Sequence, residues 1–200
     1  IFNRYLKAID PEKLFFIQAD IDHFSGARTK LDDAIFGEDL TVPFAIFNLY
    51  ERRFVDRLSY ARSLLKRGFD FNQKESYHYA RSKEAWASSE DEIRDVWRKR
   101  VKNDWLMLKL AGKKDKAIRA TLDKRYTKSL SRIYKNKSED VFQVFMDAYA
   151  MSIEPHTNYL GPRASDTFDI SMKLSLEGIG AVLVEKDEYT TIRELVAGGP

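Results

Sequence analysis

The sequence contains no cysteine, so no disulfide staples its fold and no thiol does its chemistry. That absence fits any compartment and selects none. No apolar run approaches the roughly 20 residues of a membrane-spanning helix. No basic stretch followed by an apolar one opens the chain, as a signal peptide would. Charge of one sign is not in large excess either. The 34 basic and 31 acidic residues leave a net charge of +3, too little to argue for a nucleic-acid binder. The three histidines, His23, His78 and His156, are far apart, and none has a ligand-like spacing. No metal site and no cofactor are expected. There is no internal repeat and no low-complexity tract.

What is present is a chain of 200 residues, 44% of them hydrophobic. That suffices for one substantial domain, or a domain plus a fragment, and argues against disorder. The chain opens at Ile1 without Met, inside a helix, and both ends read as processing boundaries rather than natural termini. Its charge is unevenly spread. From Arg98 to Lys135 there are 14 Lys and Arg against 3 acidic residues, a net of +11, whereas Ile1 to Tyr60 has 8 against 10. The plain reading of the basic block is two amphipathic helices that turn Lys and Arg outward for solubility. The sharper reading is a contact surface for an acidic envelope protein, the anionic cell wall or a membrane surface. Nucleic acid is the poorer partner, because no aromatic set is interleaved on the polar face.

Hydrophobic periodicity marks helices through the first 150 or so residues. Phe2, Tyr5, Leu6 and Ile9 fall at helical spacing, and Asp10-Pro11 ends that run, since a residue before proline avoids the helical region. Leu14-Phe15-Phe16-Ile17 is a short apolar run with the look of buried chain. A helix is expected from about Ala19 to Leu31, with Ile21, Phe24 and Leu31 on its apolar side. Thr41 is a candidate cap for the next helix, whose stripe is Phe47, Tyr50, Phe54, Leu58, Ala61 and Leu65, with Gly68 as its stop. Phe69 to Ala87 reads as a long connection. Ser89-Glu90-Asp91-Glu92 predicts a reciprocal capping box, opening a helix with Ile93, Trp97, Val101, Trp105 and Leu108 inward and Gly112 at its end. Another helix runs from Asp115, with Ile118, Leu122, Tyr126, Leu130 and Ile133 inward. The last starts at Ser138, with Val141, Phe142, Phe145, Ala148 and Tyr149 inward. Trp86, Trp97 and Trp105 read as core, because two of them share a stripe.

After Pro162 the period changes. Phe168, Ile170, Met172, Leu174 and Leu176 alternate with polar residues, which predicts a strand. Ile179 to Val184 and Tyr189 to Val196 flank a charged turn and predict a hairpin. The fold class is therefore mainly α: an N-terminal helical bundle over residues 1–163, followed by a short β unit over 164–200.

Gly178-Ile179-Gly180 is the main candidate for binding chemistry. Two glycines around one apolar residue let successive amides point outward, and such a nest can hold a carboxylate. Its plain reading is a turn between strands. A nucleotide loop is a poorer fit, since the third glycine and the following helix are missing. Ser82-Lys83 and the Lys128-Ser129 pair are chance neighbours on solvated faces, so no catalytic residue is assigned.

Several stretches together resemble the C-terminal processing peptidases, also called tail-specific proteases. Glu154-Pro155-His156-Thr157-Asn158-Tyr159-Leu160-Gly161-Pro162-Arg163 is similar to their helix-exit loop, with Glu154 where that family usually has Asp. Ser175 to Leu183 resembles the carboxylate-binding loop of their PDZ domain, and Val196-Ala197-Gly198-Gly199-Pro200 its approach to a helix. Asp10-Pro11-Glu12-Lys13-Leu14-Phe15-Phe16 resembles an early loop, and Ser138-Glu139-Asp140-Val141-Phe142 the start of the helix before the exit loop. The resemblance implies a serine endopeptidase of the serine–lysine type, acting in the periplasm of a Gram-negative bacterium at the inner-membrane surface. It implies that Gly178, Ile179, Gly180 and Ala181 hold the carboxylate of an apolar C-terminal substrate tail. It also implies that the catalytic serine and lysine lie beyond a PDZ domain that is incomplete at Pro200. The alternative is a non-enzymatic helical interaction module that docks a partner on its basic face.

Overall fold

A computed structural model describes residues 1–173, 180–186 and 189–196. The chain divides into two compact units, Ile1–Tyr159 and Leu160–Pro200.

The first unit begins with α1 (Phe2–Ile9), whose four expected apolar residues are all buried. It stops at Asp10-Pro11, and the reason the chain then turns inward is Asp10 itself. Its buried carboxylate accepts the amide N–H groups of Leu14 (2.8 Å), Phe15 (2.9 Å) and Phe16 (3.1 Å). Burial pushes its pKa up, while the three amide hydrogen bonds and the Arg100 charge pull the other way. Asp10 thereby replaces the hydrogen bonds that a helix or strand would have supplied to Leu14, Phe15 and Phe16, and Asp20 accepts the Ile17 amide at 3.0 Å. Leu14, Phe16 and Ile17 can therefore be buried without orphaned amides.

The helix expected over Ala19 to Leu31 is broken. The structure has α2 (Gln18–His23), a single 3₁₀ turn at Ser25–Ala27 and then α3 (Asp33–Phe36). Three widely spaced apolar residues make too thin a stripe to carry one continuous helix. Tertiary contacts also take over: Arg28 donates to the Asn3 side chain at 2.8 Å and lies over the Phe2 ring at 4.9 Å.

α4 (Thr41–Arg67) is the central strut of the unit, 27 residues or about 40 Å long. Thr41 is its first residue rather than its cap. Asp39 supplies the capping carboxylate, accepting the Thr41 N–H at 3.0 Å. The N-terminal part of α4 buries Ile46 and Phe47 in one core with α1 and α7 (Ser138–Ile153). The C-terminal part buries Leu58, Ala61 and Leu65 in another with α5 (Glu90–Leu110) and α6 (Asp115–Ile133). Phe54 packs against both cores. Between them lies an ionic cluster. Arg53 pairs with Asp20 (2.6 Å) and Glu90 (2.9 Å), and the buried Arg57 with Glu90 (2.6 Å). The cluster ties α2 and the start of α5 to the middle of the strut.

The helix stripes lie where the sequence puts them. Ile93, Trp97, Val101 and Trp105 of α5 are buried, as are Ile118, Leu122, Tyr126 and Ile133 of α6 and Val141, Phe145 and Ala148 of α7. Leu108, Leu130, Phe142 and Tyr149 are half-buried, as is Trp86. The capping box at α5 is only half formed. Ser89 Oγ accepts the Glu92 N–H at 3.2 Å, but the Glu92 carboxylate turns to the amide and hydroxyl of Ser88, both at 2.7 Å. Ser88 offers two donors where Ser89 would offer one.

No helix or strand forms between Phe69 and Trp86. This connection is pinned at its end, where the Gln18 amide donates to the Ala87 carbonyl at 2.8 Å. It is also pinned in its middle by Glu75, which bridges Arg98 and Lys102 of α5. Lys102 is thus the exception to an outward-facing basic helix: its side chain is buried and paired. Hydrogen bonds from Arg98 and Lys102 draw the Glu75 pKa down to about 2, from an ordinary 4.5. A depressed carboxylate pKa stabilises the folded chain fully above its unfolded value, and that contribution disappears as pH falls through the folded value. Melting temperatures between about pH 5 and about pH 2 should therefore fall less steeply in Glu75→Gln than in the wild type. Parallel curves would show that Glu75 is not held by these cations in solution.

In the second unit, α8 (Pro162–Lys173) stands where alternation predicts a strand. Pro162 occupies the first helical position, where its fixed φ and missing N–H suit a helix start. The Ser165 amide closes the first turn on the Gly161 carbonyl at 2.9 Å. Alternate apolar residues do not gather on one side of a helix, and Phe168, Ile170 and Met172 are all substantially exposed. Leu174 and Leu176 lie outside the described residues. The expected hairpin is present as β1 (Ala181–Lys186) and β2 (Tyr189–Leu195). The chain is thus mainly helical, with a small antiparallel two-stranded sheet near its C-terminus.

Candidate functional site

The exit loop starts in the first unit, and the predicted binding loop lies in the second. In the first, α7 ends at Ile153 and the exit loop is shaped by Glu154. One carboxylate oxygen accepts the His156 amide (2.8 Å) and the Thr157 hydroxyl (3.1 Å), and the other meets His156 Nδ1 at 2.7 Å. The side-chain hydrogen bond with His156 is the main reason its pKa lies below the usual carboxylate range. The longer arm of glutamate thus makes the turn that an aspartate makes with a shorter one. Further on, the Tyr159 amide donates to Asp147 at 2.8 Å, and its ring meets Phe142 edge-on at 5.6 Å. Two carboxylates and one aromatic pair fold the exit loop back along α7. Asp147 carries no sequence signal for this role, because it sits 12 residues away on a helix face.

In the second unit, Gly178 and Ile179 lie outside the described residues. Gly180 has φ of +66°, a left-handed backbone that only glycine adopts without strain. Ala181 follows as the first residue of β1 and is half-buried. The structure therefore shows Gly180 and Ala181 together at the mouth of the hairpin. The Gly180 carbonyl accepts the Val196 amide at 2.7 Å, which closes the open end of the hairpin.

The pairing runs from Ala181 opposite Leu195 to Lys186 opposite Tyr189, with a bulge between Val182 and Leu183. Bulges bend a strand and increase its twist. Among the described residues β1 pairs only with β2, so its other edge carries unpaired amides and carbonyls. An extended peptide can add to such an edge. Leu183 lies opposite Ile192, and both side chains are exposed, at 48% and 62%. This is the surface a strand needs when something is to cover it.

No group of three or more potential metal ligands gathers among the described residues. No helix among them is long and apolar enough to cross a membrane.

Residues 1–163 match the family model of the tail-specific protease N-terminal domain. The whole chain is 39% identical to a tail-specific protease of Haemophilus influenzae, and spans 29% of that protein's length. The matched region holds the Asp10 turn, both cores and the exit loop shaped by Glu154, and through it the chain belongs to the tail-specific protease family.

Proposed function

We propose that this chain is the substrate-framing front of a periplasmic serine endopeptidase that recognises apolar protein C-termini and degrades or processes them. Residues 1–163 form the helical domain, and 164–200 open a PDZ domain. The observation that carries the reading is Gly180: a left-handed glycine leads into a strand whose second edge is unpaired among the described residues, in a chain of this family. In this arrangement the amides of the Gly178–Ala181 loop hold the terminal carboxylate of the tail. The β1 edge pairs with the tail backbone, and apolar surface beside the strand takes its side chains. The helical domain frames the path of the substrate. Hydrolysis itself is the work of a serine and a lysine outside these residues, so this chain contributes selection rather than bond cleavage.

The test uses the full-length protein and a pair of peptides with one apolar C-terminal sequence, one ending in a free carboxylate and one in an amide. Removing the charge should weaken binding at least about tenfold, the equivalent of one charge-assisted hydrogen bond. Equal affinity for the two peptides would rule out carboxylate capture by this loop.

A further inference from the structure

The junction of α5 and α6 has an unusual composition for a solvated turn. The last turns of α5 leave Leu106, Met107 and Leu110 exposed, at 36%, 59% and 74%. Every residue from Lys109 to Ala117 is exposed. Within that run stand Lys109, Lys113, Lys114 and Lys116 against a single acid, Asp115. Lys109 lies 4.0 Å from Asp115, at the limit of an ion pair. Lys113, Lys114 and Lys116 make no ion pair with any described residue. The turn is held firmly all the same. Gly112 takes φ of +80°, and the Lys113 amide closes on the Leu108 carbonyl at 3.1 Å, so the tip is a built corner.

We propose that this tip docks the chain on an anionic phospholipid surface. Leu106, Met107 and Leu110 enter the acyl boundary, and the four lysines meet the phosphate layer. Their composition favours a bilayer over a protein partner. Long aliphatic side chains with lysines around them suit a headgroup interface, where the lysine stem follows apolar surface and the amine reaches phosphate. Protein interfaces are depleted in lysine and enriched in aromatic residues and arginine. Three apolar side chains on a projecting corner also offer far less area than a stable protein complex buries.

The absence of cysteine makes the test direct. Leu110→Cys gives the one cysteine within these 200 residues for an environment-sensitive fluorophore, and Phe36→Cys gives a control on exposed α3. Vesicles of equal parts phosphatidylglycerol and phosphatidylcholine should blue-shift the label at position 110 and leave the one at position 36 unchanged. Vesicles of phosphatidylcholine alone should shift neither. Each lysine near an anionic surface contributes roughly fivefold to partitioning. Replacing Lys113, Lys114 and Lys116 together by Gln should therefore lower vesicle affinity about 100-fold. The far-UV circular dichroism should be unchanged, because all three side chains are exposed. No shift at position 110, an equal shift at both positions, or a loss below about threefold in the triple variant would overturn the proposal. So would retention on immobilised polyglutamate with none on anionic vesicles, an outcome that identifies an acidic protein as the partner instead.

Discussion

Asp10→Ala should destabilise the helical unit by about 3–5 kcal/mol, because it strands three amide donors in a largely buried segment. Each buried donor left without a partner costs about 1–3 kcal/mol. Typical domains have only about 5–15 kcal/mol in total, so the urea midpoint should fall far enough to measure easily. Asp10→Asn should lie in between. Its amide oxygen can still accept from two of the amides, but its NH₂ group has to be accommodated against donors. The order wild type, Asn, Ala is the result to look for. An Ala variant within about 1 kcal/mol of wild type would mean that the amides find other partners and that the Asp-Pro turn is held by packing alone.

The second large effect belongs to Trp97. Its ring is buried in the core of α4, α5 and α6, and its indole N–H donates to the Leu14 carbonyl at 2.6 Å. Asp10 thus holds the amide of Leu14 and Trp97 its carbonyl. Trp97→Ala removes a large buried side chain, at about 3–5 kcal/mol, and also orphans that carbonyl. Trp97→Phe keeps most of the packing and should cost about 1–3 kcal/mol, chiefly for the lost hydrogen bond. Since both residues act on one short segment, the Asp10→Ala and Trp97→Phe effects should not add. Urea unfolding of the double variant should show a coupling of about 0.5–3 kcal/mol. Strict additivity would mean that the two ends of Leu14 are held independently.

These two residues also show what the sequence can and cannot display. The long helices were legible because each has an apolar stripe at steps of three or four, and because Gly68 and Gly112 mark their ends. Asp10 was legible as a stop, through the proline after it, but not as the carboxylate that feeds three amides. That role depends on where the chain goes after the turn. Thr41 shows the same gap. Threonine and aspartate are both good caps, and only the backbone geometry decides that Asp39 takes the amide. The strand expected from Phe168 fails over its described part, as far as Met172, for a different reason. Alternation describes a surface half-covered by something else, and with Phe168, Ile170 and Met172 exposed the local preference set by Pro162 prevails. Of the candidate binding loop, the glycine pattern announced a turn, and Gly180 has the backbone conformation that explains it.

The two cores along α4 differ in how far apart in sequence their pieces lie. The core of α4, α5 and α6 is assembled largely from helices that follow one another. The other joins α1, at the start of the chain, to α7, at the end of the helical unit. Bringing those two segments together closes a loop that contains nearly everything else, and the entropy of that closure must be met before any contact repays it. The first core can therefore act as the nucleus, with α4 already extended as a template. The second is sealed last, when α7 has been made and can lie against α1. During synthesis from the N-terminus, α1 waits longest for its partner α7, and this is the interval in which its apolar face is most exposed to aggregation.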